Sequence, residues 1–463
     1  MRLIRLFLTI TTATLLTVSC GKRIDASVKA CVKDGRIVLK TPARPAGQQN
    51  ALLLTAPAMD TVRVGFIGLG MRGTGAVKRF THLEGTKTTA LCDLFPEKVA
   101  KNAKILADAG KPEAACYDGP DGWKALCERD DVDLVYICTD WKTHTPMAVY
   151  AMEHGKHVAL EVPAAMSIAE CWQLVNTCEK TRKHCMMLEN CVYDWFEATA
   201  LNMAQHGLFG EIYHAEGGYI HNLDPFWKKY EGNWRLEYNR QNRGDNYPTH
   251  GIGPVCQAMN MHRGDRMDYL VSQDTDSFHG KEVSGDANFA DGDHTVTLIR
   301  TARGRQIEIQ HNVYASRPYS RLYQLTGTEG FVNKYPTKGI AVKGDKIDDG
   351  EADYEKLDGE RFVPKEVYDK LMEQYKPDII KEIEDEALKV GGHGGMDFIM
   401  DYRLVYCLRN GLPLDQDVYD AAEWSCLTEL SRLSIENGSA PVAVPDFTRG
   451  DWNLVNGYSY ARL

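Results

Sequence analysis

The run Val62-Arg63-Val64-Gly65-Phe66-Ile67 passes directly into Gly68-Leu69-Gly70-Met71-Arg72-Gly73, and that join constrains the fold more than any other stretch. A short, largely β-branched apolar run reads as a strand buried in a parallel sheet, and the amphipathic pattern after the glycines reads as a helix. A G-x-G-x-x-G hexamer alone is weak evidence. Between a buried strand and a helix it specifies a dinucleotide-binding turn. Gly68 makes the tight turn and Gly70 lets backbone approach a pyrophosphate, so Gly68, Gly70 and Gly73 are expected at the cofactor. The helix N-terminus adds N–H donors and a positive dipole end. Asp93 closes the next strand, where a carboxylate accepts hydrogen bonds from an adenosine ribose and repels a 2′-phosphate. NAD is therefore expected over NADP.

The pattern then alternates: a strand at Thr88–Cys92, a helix over Pro96–Ala109, a strand at Leu134–Thr139, a helix over Thr145–His154 and a strand at His157–Glu161. This predicts an α/β fold with a right-handed, doubly wound parallel Rossmann sheet over residues 60–190. Beyond residue 190, period-two runs at Glu211–His221, Thr295–Thr301, Arg305–Asn312 and Leu322–Thr326 suggest a mainly antiparallel sheet. Helical patterns follow over Lys365–Leu388, Met396–Asn410 and Val418–Asn437, so residues 191–463 read as an α+β substrate domain. With 463 residues, 43% hydrophobic and 25% charged, two or three globular domains are expected. The net charge of −10 argues against nucleic acid or anionic lipid and suits a neutral ligand.

Residues 1–19 read as an export signal, with Arg2 and Arg5 before an apolar stretch too short to span a bilayer. Leu16-Thr17-Val18-Ser19-Cys20-Gly21 resembles a lipoprotein box, which implies lipidation of Cys20; ordinary signal-peptidase cleavage is the alternative. Cleavage there leaves 52 basic against 64 acidic side chains, a balance of −12. Arg2 and Arg5 are not a twin-arginine pair, so the chain is expected to cross unfolded and to acquire its cofactor outside the cytoplasm. Residues 20–59 have loop composition with one short apolar run and read as a tether and arm. Cys171, Cys178 and Cys185 recur at seven-residue spacing along a helical pattern, too far apart to bridge one another. With no C-x-x-C pair, no metal site is expected, and the cysteines read as buried free thiols.

Asp140-Trp141-Lys142-Thr143-His144 and Glu161-Val162-Pro163 follow later strands, at the carboxyl-end edge where ligands of open parallel sheets bind. Between Tyr219 and Tyr238, Tyr219, His221, Phe226, Trp227, Tyr230, Trp234 and Tyr238 alternate with Asn222, Asp224 and Arg235. Aromatic faces with polar tips suit a sugar ring. In Asn246-Tyr247-Pro248-Thr249-His250-Gly251, proline fixes one dihedral and glycine frees another, so His250 can be aimed into a cleft as a proton acceptor.

Gly68 to Gly73, Asp93 and Glu161-Val162-Pro163 resemble the Gfo/Idh/MocA family of NAD(P)-dependent sugar oxidoreductases. That family usually has a catalytic lysine where Val162 stands. The more specific resemblance is to glycoside hydrolase family 109, NAD-dependent α-N-acetylgalactosaminidases. It is carried by Gly65 to Gly73, Glu161-Val162-Pro163-Ala164-Ala165, Tyr247-Pro248-Thr249-His250-Gly251 and His393-Gly394-Gly395-Met396-Asp397. The resemblance implies NAD contacts at Met71, Arg72, Asp93, Trp141, Lys142, Thr143, His144, Glu161, Val162 and Asn190. It implies sugar contacts at Tyr219, Arg235, Tyr247, Pro248, Thr249 and His250, and at a tyrosine for which Arg317-Pro318-Tyr319-Ser320 selects Tyr319 over Tyr314 and Tyr323.

The implied reaction is hydrolysis of a terminal α-linked N-acetylgalactosamine from a glycan by oxidation at C3, elimination, addition of water and reduction, with retention. In that scheme His250 assists loss of the C3 hydroxyl proton, Tyr193 is the C2 base, Tyr319 lies close to the reacting sugar and Glu161 orients the nicotinamide side. Membrane association is expected only through the lipid anchor, and a homo-oligomer is left open. Two other readings stand beside it: a sugar or cyclitol dehydrogenase that consumes NAD, against which Val162 argues, and a non-catalytic sugar-binding lipoprotein, against which the intact cofactor motif and His250 argue.

Overall fold

The computed structural model describes residues 30–314, 316–347 and 357–458. The expected export signal and Cys20 lie outside the described residues. The chain enters through a hairpin, β1 (Ala30–Lys33) and β2 (Arg36–Leu39). The expected arm is thus partly strand, and β2 pairs with the late strand β16 described below.

The Rossmann unit is built of β3 (Val62–Ile67), α1 (Met71–Phe80), β4 (Thr86–Asp93), α2 (Pro96–Asp108), β5 (Ala115–Asp118), α3 (Gly122–Cys127), β6 (Leu134–Ile137), α4 (Trp141–Glu153), β7 (His157–Leu160), α5 (Ile168–Thr181) and β8 (Cys185–Met187). All neighbours are parallel in the order β5-β4-β3-β6-β7-β8. The order reverses between β3 and β6, so a crevice opens at their carboxyl ends. Helix α4 starts four residues before the expected Thr145, because the Asp140 side chain caps it by accepting from the Lys142 N–H. Cys185 does not continue the helix of Cys171 and Cys178. Arg182 takes a left-handed conformation that ends α5, and Cys185 begins β8. All twelve cysteines among the described residues are unpaired.

After α6 (Trp195–Gln205) come β9 (Ile212–Ile220), α7 (Trp234–Gln241), α8 (Thr249–Ala258), β10 (Met267–Asp274), α9 (His279–Ser284), β11 (Thr295–Thr301), β12 (Gln306–Asn312), β13 (Tyr323–Gly327), β14 (Gly330–Asn333) and β15 (Gly339–Val342). Helices α10 (Lys365–Gln374), α11 (Asp378–Val390), α12 (Met396–Asn410) and α13 (Val418–Glu436) precede β16 (Val442–Ala443). The sheet order is β1-β2-β16-β10-β11-β12-β9-β13-β14-β15, antiparallel except at β12/β9 and β16/β2. One expected helix, Lys365–Leu388, is in fact two. Pro377, which has no N–H to donate, stands at their junction and caps α11.

Two contacts fix the two units against each other, and a third, inside the second unit, sets the wall of the site. Helix α13, capped by a reciprocal Asp417/Asp420 box, is buried nearly all round between α5, β8 and β10. On α12, Asp401 accepts from Arg79 Nε at 2.6 Å and from the Tyr136 hydroxyl at 2.8 Å, beneath the packed rings of Phe66, Phe80 and Tyr136. Helix α8 lies so close to β9 that a Cβ on Gly217 would meet the Gly251 carbonyl oxygen at 2.1 Å. That approach brings His250 against Tyr219, with ring centroids 5.1 Å apart. Replacing Gly217 with Ala is expected to push α8 off the sheet, lowering stability by about 1–3 kcal/mol. Thermal or urea unfolding reads the loss, and activity should fall with it as His250 moves.

Candidate active site

The crevice over β3 and β6 is one end of a cleft of about 1320 Å³ that runs from the Rossmann unit to the face of the second sheet. Its cofactor wall follows from the glycine turn. Gly68 has φ +85°, and a Cβ there would meet the Cys138 carbonyl oxygen at 2.6 Å. Gly70 faces the cleft with nothing within 4 Å of a Cβ position, so its backbone is open to a pyrophosphate. No side chain caps the start of α1, which leaves its N–H donors for a ligand. Gly73 does not line the cleft; a Cβ on it would meet the Gly68 carbonyl oxygen at 1.8 Å, so it serves close packing of helix on strand.

Asp93 holds the turn from beneath, accepting from the Leu69 N–H at 2.6 Å and the Phe95 N–H at 3.1 Å. Lys98 and Lys101 line the same end of the cleft. At the other end Arg72 binds Glu161 Oε1 through Nε at 2.6 Å and Asp397 Oδ2 through Nη1 at 2.9 Å. Asn190 donates to Asp397 Oδ1 at 2.6 Å. Burial alone would raise the Asp397 pKa, but Arg72, His393 and Arg79 hold it well below the usual carboxylate range.

Met71, Trp141, Thr143, His144, Val162 and Asn190 all line the cleft. His144 is a brace within it: its ring nitrogens lie 2.8 Å from the Pro163 carbonyl oxygen and 3.1 Å from that of Thr139. The Val162–Pro163 peptide is cis, and the Val162 carbonyl accepts from Trp141 Nε1 at 3.2 Å. Lys142 is exposed, and its side chain is not among the lining groups.

The opposite wall is aromatic. Tyr219, His221, Phe226, Tyr230, Trp234, Arg235, Tyr247 and Tyr319 face the same space. Arg235 is 5% exposed, with its guanidinium carbon 4.2 Å from the Tyr247 ring centre. It donates to the Tyr230 hydroxyl, and its buried Nε has no partner. Pro248 and Thr249 lie behind this wall as the start of α8 and do not reach the cleft.

His250 stands where the two walls meet. Its Nδ1 is 2.7 and 2.9 Å from the two Glu189 carboxylate oxygens, and its Nε2 is 3.2 Å from the Tyr247 hydroxyl. A carboxylate only accepts, so Nδ1 carries the proton and Nε2 is the basic nitrogen toward the cleft. Burial would raise the Glu189 pKa, yet His250 and the Cys191 N–H bring it below the usual value, so the carboxylate stays charged. Cys191 also comes near, and the ligand atoms of Glu189, Cys191 and His250 lie within 4.8 Å of one another. A cation already stands beside that thiol: Arg321 Nη1 is 3.4 Å from Cys191 Sγ.

Tyr193 is the correction. It is 2% exposed, lies outside the cleft lining and donates its hydroxyl to Asp415 Oδ2 at 3.2 Å, beneath the Arg403–Asp415 pair. Glu189, Asp397 and Arg321 were not among the expected site residues. Glu189 stands two residues past the end of β8, so the strand-end rule that singles out Glu161 applied to it equally.

Comparison with known proteins decides the family. Residues 62–189 match the model described as "Oxidoreductase family, NAD-binding Rossmann fold", and residues 193–454 match "Glycosyl hydrolase 109, C-terminal domain". The chain belongs to glycosyl hydrolase family 109. It is 62% identical over 428 residues to Glycosyl hydrolase family 109 protein 1 of Phocaeicola vulgatus, covering 91% of each chain. It is 58% identical over 458 residues to the protein of the same name from Bacteroides thetaiotaomicron, covering 96% of this chain and 97% of that one. The fold also matches a levoglucosan dehydrogenase solved with NADH and levoglucosan, with TM-score 0.62 and 16% identity over 83% of this chain and 99% of that one. This family 109 member is a glycosidase, and its cofactor is NAD.

Two substitutions separate the site of this family 109 enzyme from its scaffold. Glu189→Gln should remove the charge that orients His250 and lower kcat by about 10² or more while NAD stays bound. Tyr193→Phe should cost stability through the lost Asp415 bond and leave kcat within a few-fold of wild type. Steady-state rates and cofactor content of the purified variants test both.

Proposed function

We propose that the enzyme releases terminal α-linked N-acetylgalactosamine from glycans by transient oxidation of the sugar, with net retention at C1. One observation carries the reading. The carboxylates that line the cleft among the described residues are Asp93, Asp140, Glu161 and Asp397, all on the cofactor wall. Glu161 and Asp397 are further tied to Arg72. Ordinary glycosidases place a carboxyl pair across the scissile bond, and the aromatic wall offers none. NAD, which the glycine turn, Asp93 and Arg72 would hold, would supply the hydride acceptor for C3 and the donor that closes the cycle.

The protein's own groups handle protons and position. His250 takes the C3 hydroxyl proton at Nε2, with Glu189 stabilising the imidazolium that forms. Arg235 and the rings of Tyr219, Tyr247 and Tyr319 hold the sugar, Arg235 donating to its hydroxyl or acetamido oxygens. Arg72, Glu161 and Asn190 would hold the nicotinamide end. With the ketone at C3, the C2 proton becomes acidic, its loss expels the aglycone from C1, and water adds in its place. The same reading makes the protein an exported lipoprotein held at Cys20 and acting on glycans outside the cytoplasm.

Purified protein given p-nitrophenyl α-N-acetylgalactosaminide should release nitrophenol with no net build-up of NADH, and activity lost on stripping NAD should return when it is added back. NADH accumulating on free sugar would make the protein a dehydrogenase. Neither signal would leave a binding protein. The lipid anchor predicts that Cys20→Ala moves the protein from the membrane fraction to the soluble one.

A further inference from the structure

With Tyr193 outside the cleft, the removal of the C2 proton has no assigned group, and the aromatic wall holds one pair built to take it. Tyr219 and His221 leave the end of β9 two residues apart, so their side chains share one face of the strand. The Tyr219 hydroxyl is 2.7 Å from His221 Nδ1. The imidazole is fixed on three sides by rings, with centroids of Tyr319, Phe226 and Tyr219 at 4.8, 5.4 and 5.6 Å. Both residues line the cleft, and Tyr219 packs edge-on against His250, so the pair adjoins the group already assigned to C3.

We propose that Tyr219 is the base at C2 and that His221, acting through it, is the acceptor that draws off the phenol proton. This rests on the redox reading of the reaction given above. In the step, the C2–H proton moves to the Tyr219 oxygen as the phenol proton moves to His221 Nδ1. The C2–H electron pair becomes the enolate of the C3 ketone, which then expels the aglycone oxygen from C1 with its bonding pair; that oxygen takes a proton from water, and the water that adds at C1 gives one up in turn. Addition of water at C1 and return of the proton to C2 reverse the path, so His221 ends each turnover as it began.

Protonation chemistry agrees with the geometry. Burial drives the Tyr219 pKa up, so the resting phenol keeps its proton and cannot act as base without a partner. Burial, reinforced by Arg235, His250 and His393, pulls His221 down to about 4, so at neutral pH the ring is uncharged and free to accept. The negative charge that appears on the sugar as C2 is deprotonated is what allows the imidazole to hold the proton beside the Arg235 guanidinium. A phenol that merely needed a hydrogen-bond partner would be served equally by a side chain that takes no proton, and that difference is testable.

The reading is separated from a structural one by His221→Asn, which keeps an acceptor near the Nδ1 position but cannot carry the proton. Exchange of the C2 hydrogen of free N-acetylgalactosamine in D2O, followed by NMR, should be readily seen in wild type and fall by about 10² or more in His221→Asn and in Tyr219→Phe. NAD content and the thermal midpoint should be unchanged in His221→Asn, and imidazole added to His221→Gly should restore exchange. A C2-deuterated substrate should show a larger isotope effect in His221→Asn than in wild type, because the C2 step alone is slowed. Wild-type exchange in His221→Asn, or an unchanged C2 isotope effect, would overturn the proposal and leave the glycosidase reading standing. Wild-type protein that releases the sugar without any C2 exchange would overturn both.

Discussion

The Asp397 carboxylate is the point on which the cleft is hung. It is 1% exposed and is bound by Arg72 from the glycine turn, Asn190 from the end of the Rossmann unit and His393 from its own helix start, with Arg79 at 3.6 Å. A buried carboxylate stripped of such partners would cost several kcal/mol, so each partner is held as firmly as the charge is. Because Arg72 also clasps Glu161, one anion fixes the cofactor turn, the cis Glu161-Val162-Pro163 segment and α12 in a single geometry. The glycines of 391–395, four of them at positive φ, let the chain reverse tightly enough to present Asp397 there.

From that anchor the division of labour follows. The Rossmann unit contributes backbone donors, a positive helix end and paired carboxylates, a surface suited to a pyrophosphate and ribose. The second sheet contributes rings, imidazoles and Arg235, which no carboxylate approaches among the described residues. Charge is thus sorted across the cleft: Glu161 and Asp397 tied to Arg72 on one side, Arg235 and the imidazoles on the other. Anionic character developing on a sugar at the second wall meets stabilisation there, which is the kind of site that favours an enolate over its neutral precursor.

Much of this was legible in the sequence because it depends on local rules. Strand β3, β11 and α12 have the boundaries their patterns indicate, and the glycine turn, Asp93 and the Glu161 segment take the places their positions at strand ends require. His250 was visible through the proline and glycine that flank it. What was hidden depends on long-range packing. Tyr193 stands one short turn after Glu189, and nothing local says that its hydroxyl is drawn to Asp415, 222 residues on. Glu189 joins His250 across 61 residues. The Tyr219–His221 pair was readable as spacing on one strand face, but not the cage of rings that holds it. The hairpin β1/β2 escaped because its pairing partner, β16, is two residues near the far end of the chain.

In the proposed reaction, Val162 accounts for the proton chemistry lying on the far wall. Dehydrogenases of the wider superfamily carry a lysine at this turn, which places the acid–base group on the cofactor side. Here the residue is 5% exposed, and its carbonyl is committed to the Trp141 indole. An ammonium on that buried side chain would carry a desolvation cost, and the neighbouring Glu161 is already held by Arg72. With the turn apolar, the proposed reaction draws its hydroxyl-proton acceptor from elsewhere: α8 brings His250 from the sheet side with Glu189 behind it. That transfer puts two imidazole-based acceptors, His250 and His221, on one wall around Tyr219. Oxidation of an alcohol needs one such group. A reaction that must also lift a proton from the neighbouring carbon needs a second, and the shift from lysine to histidine is what makes room for both.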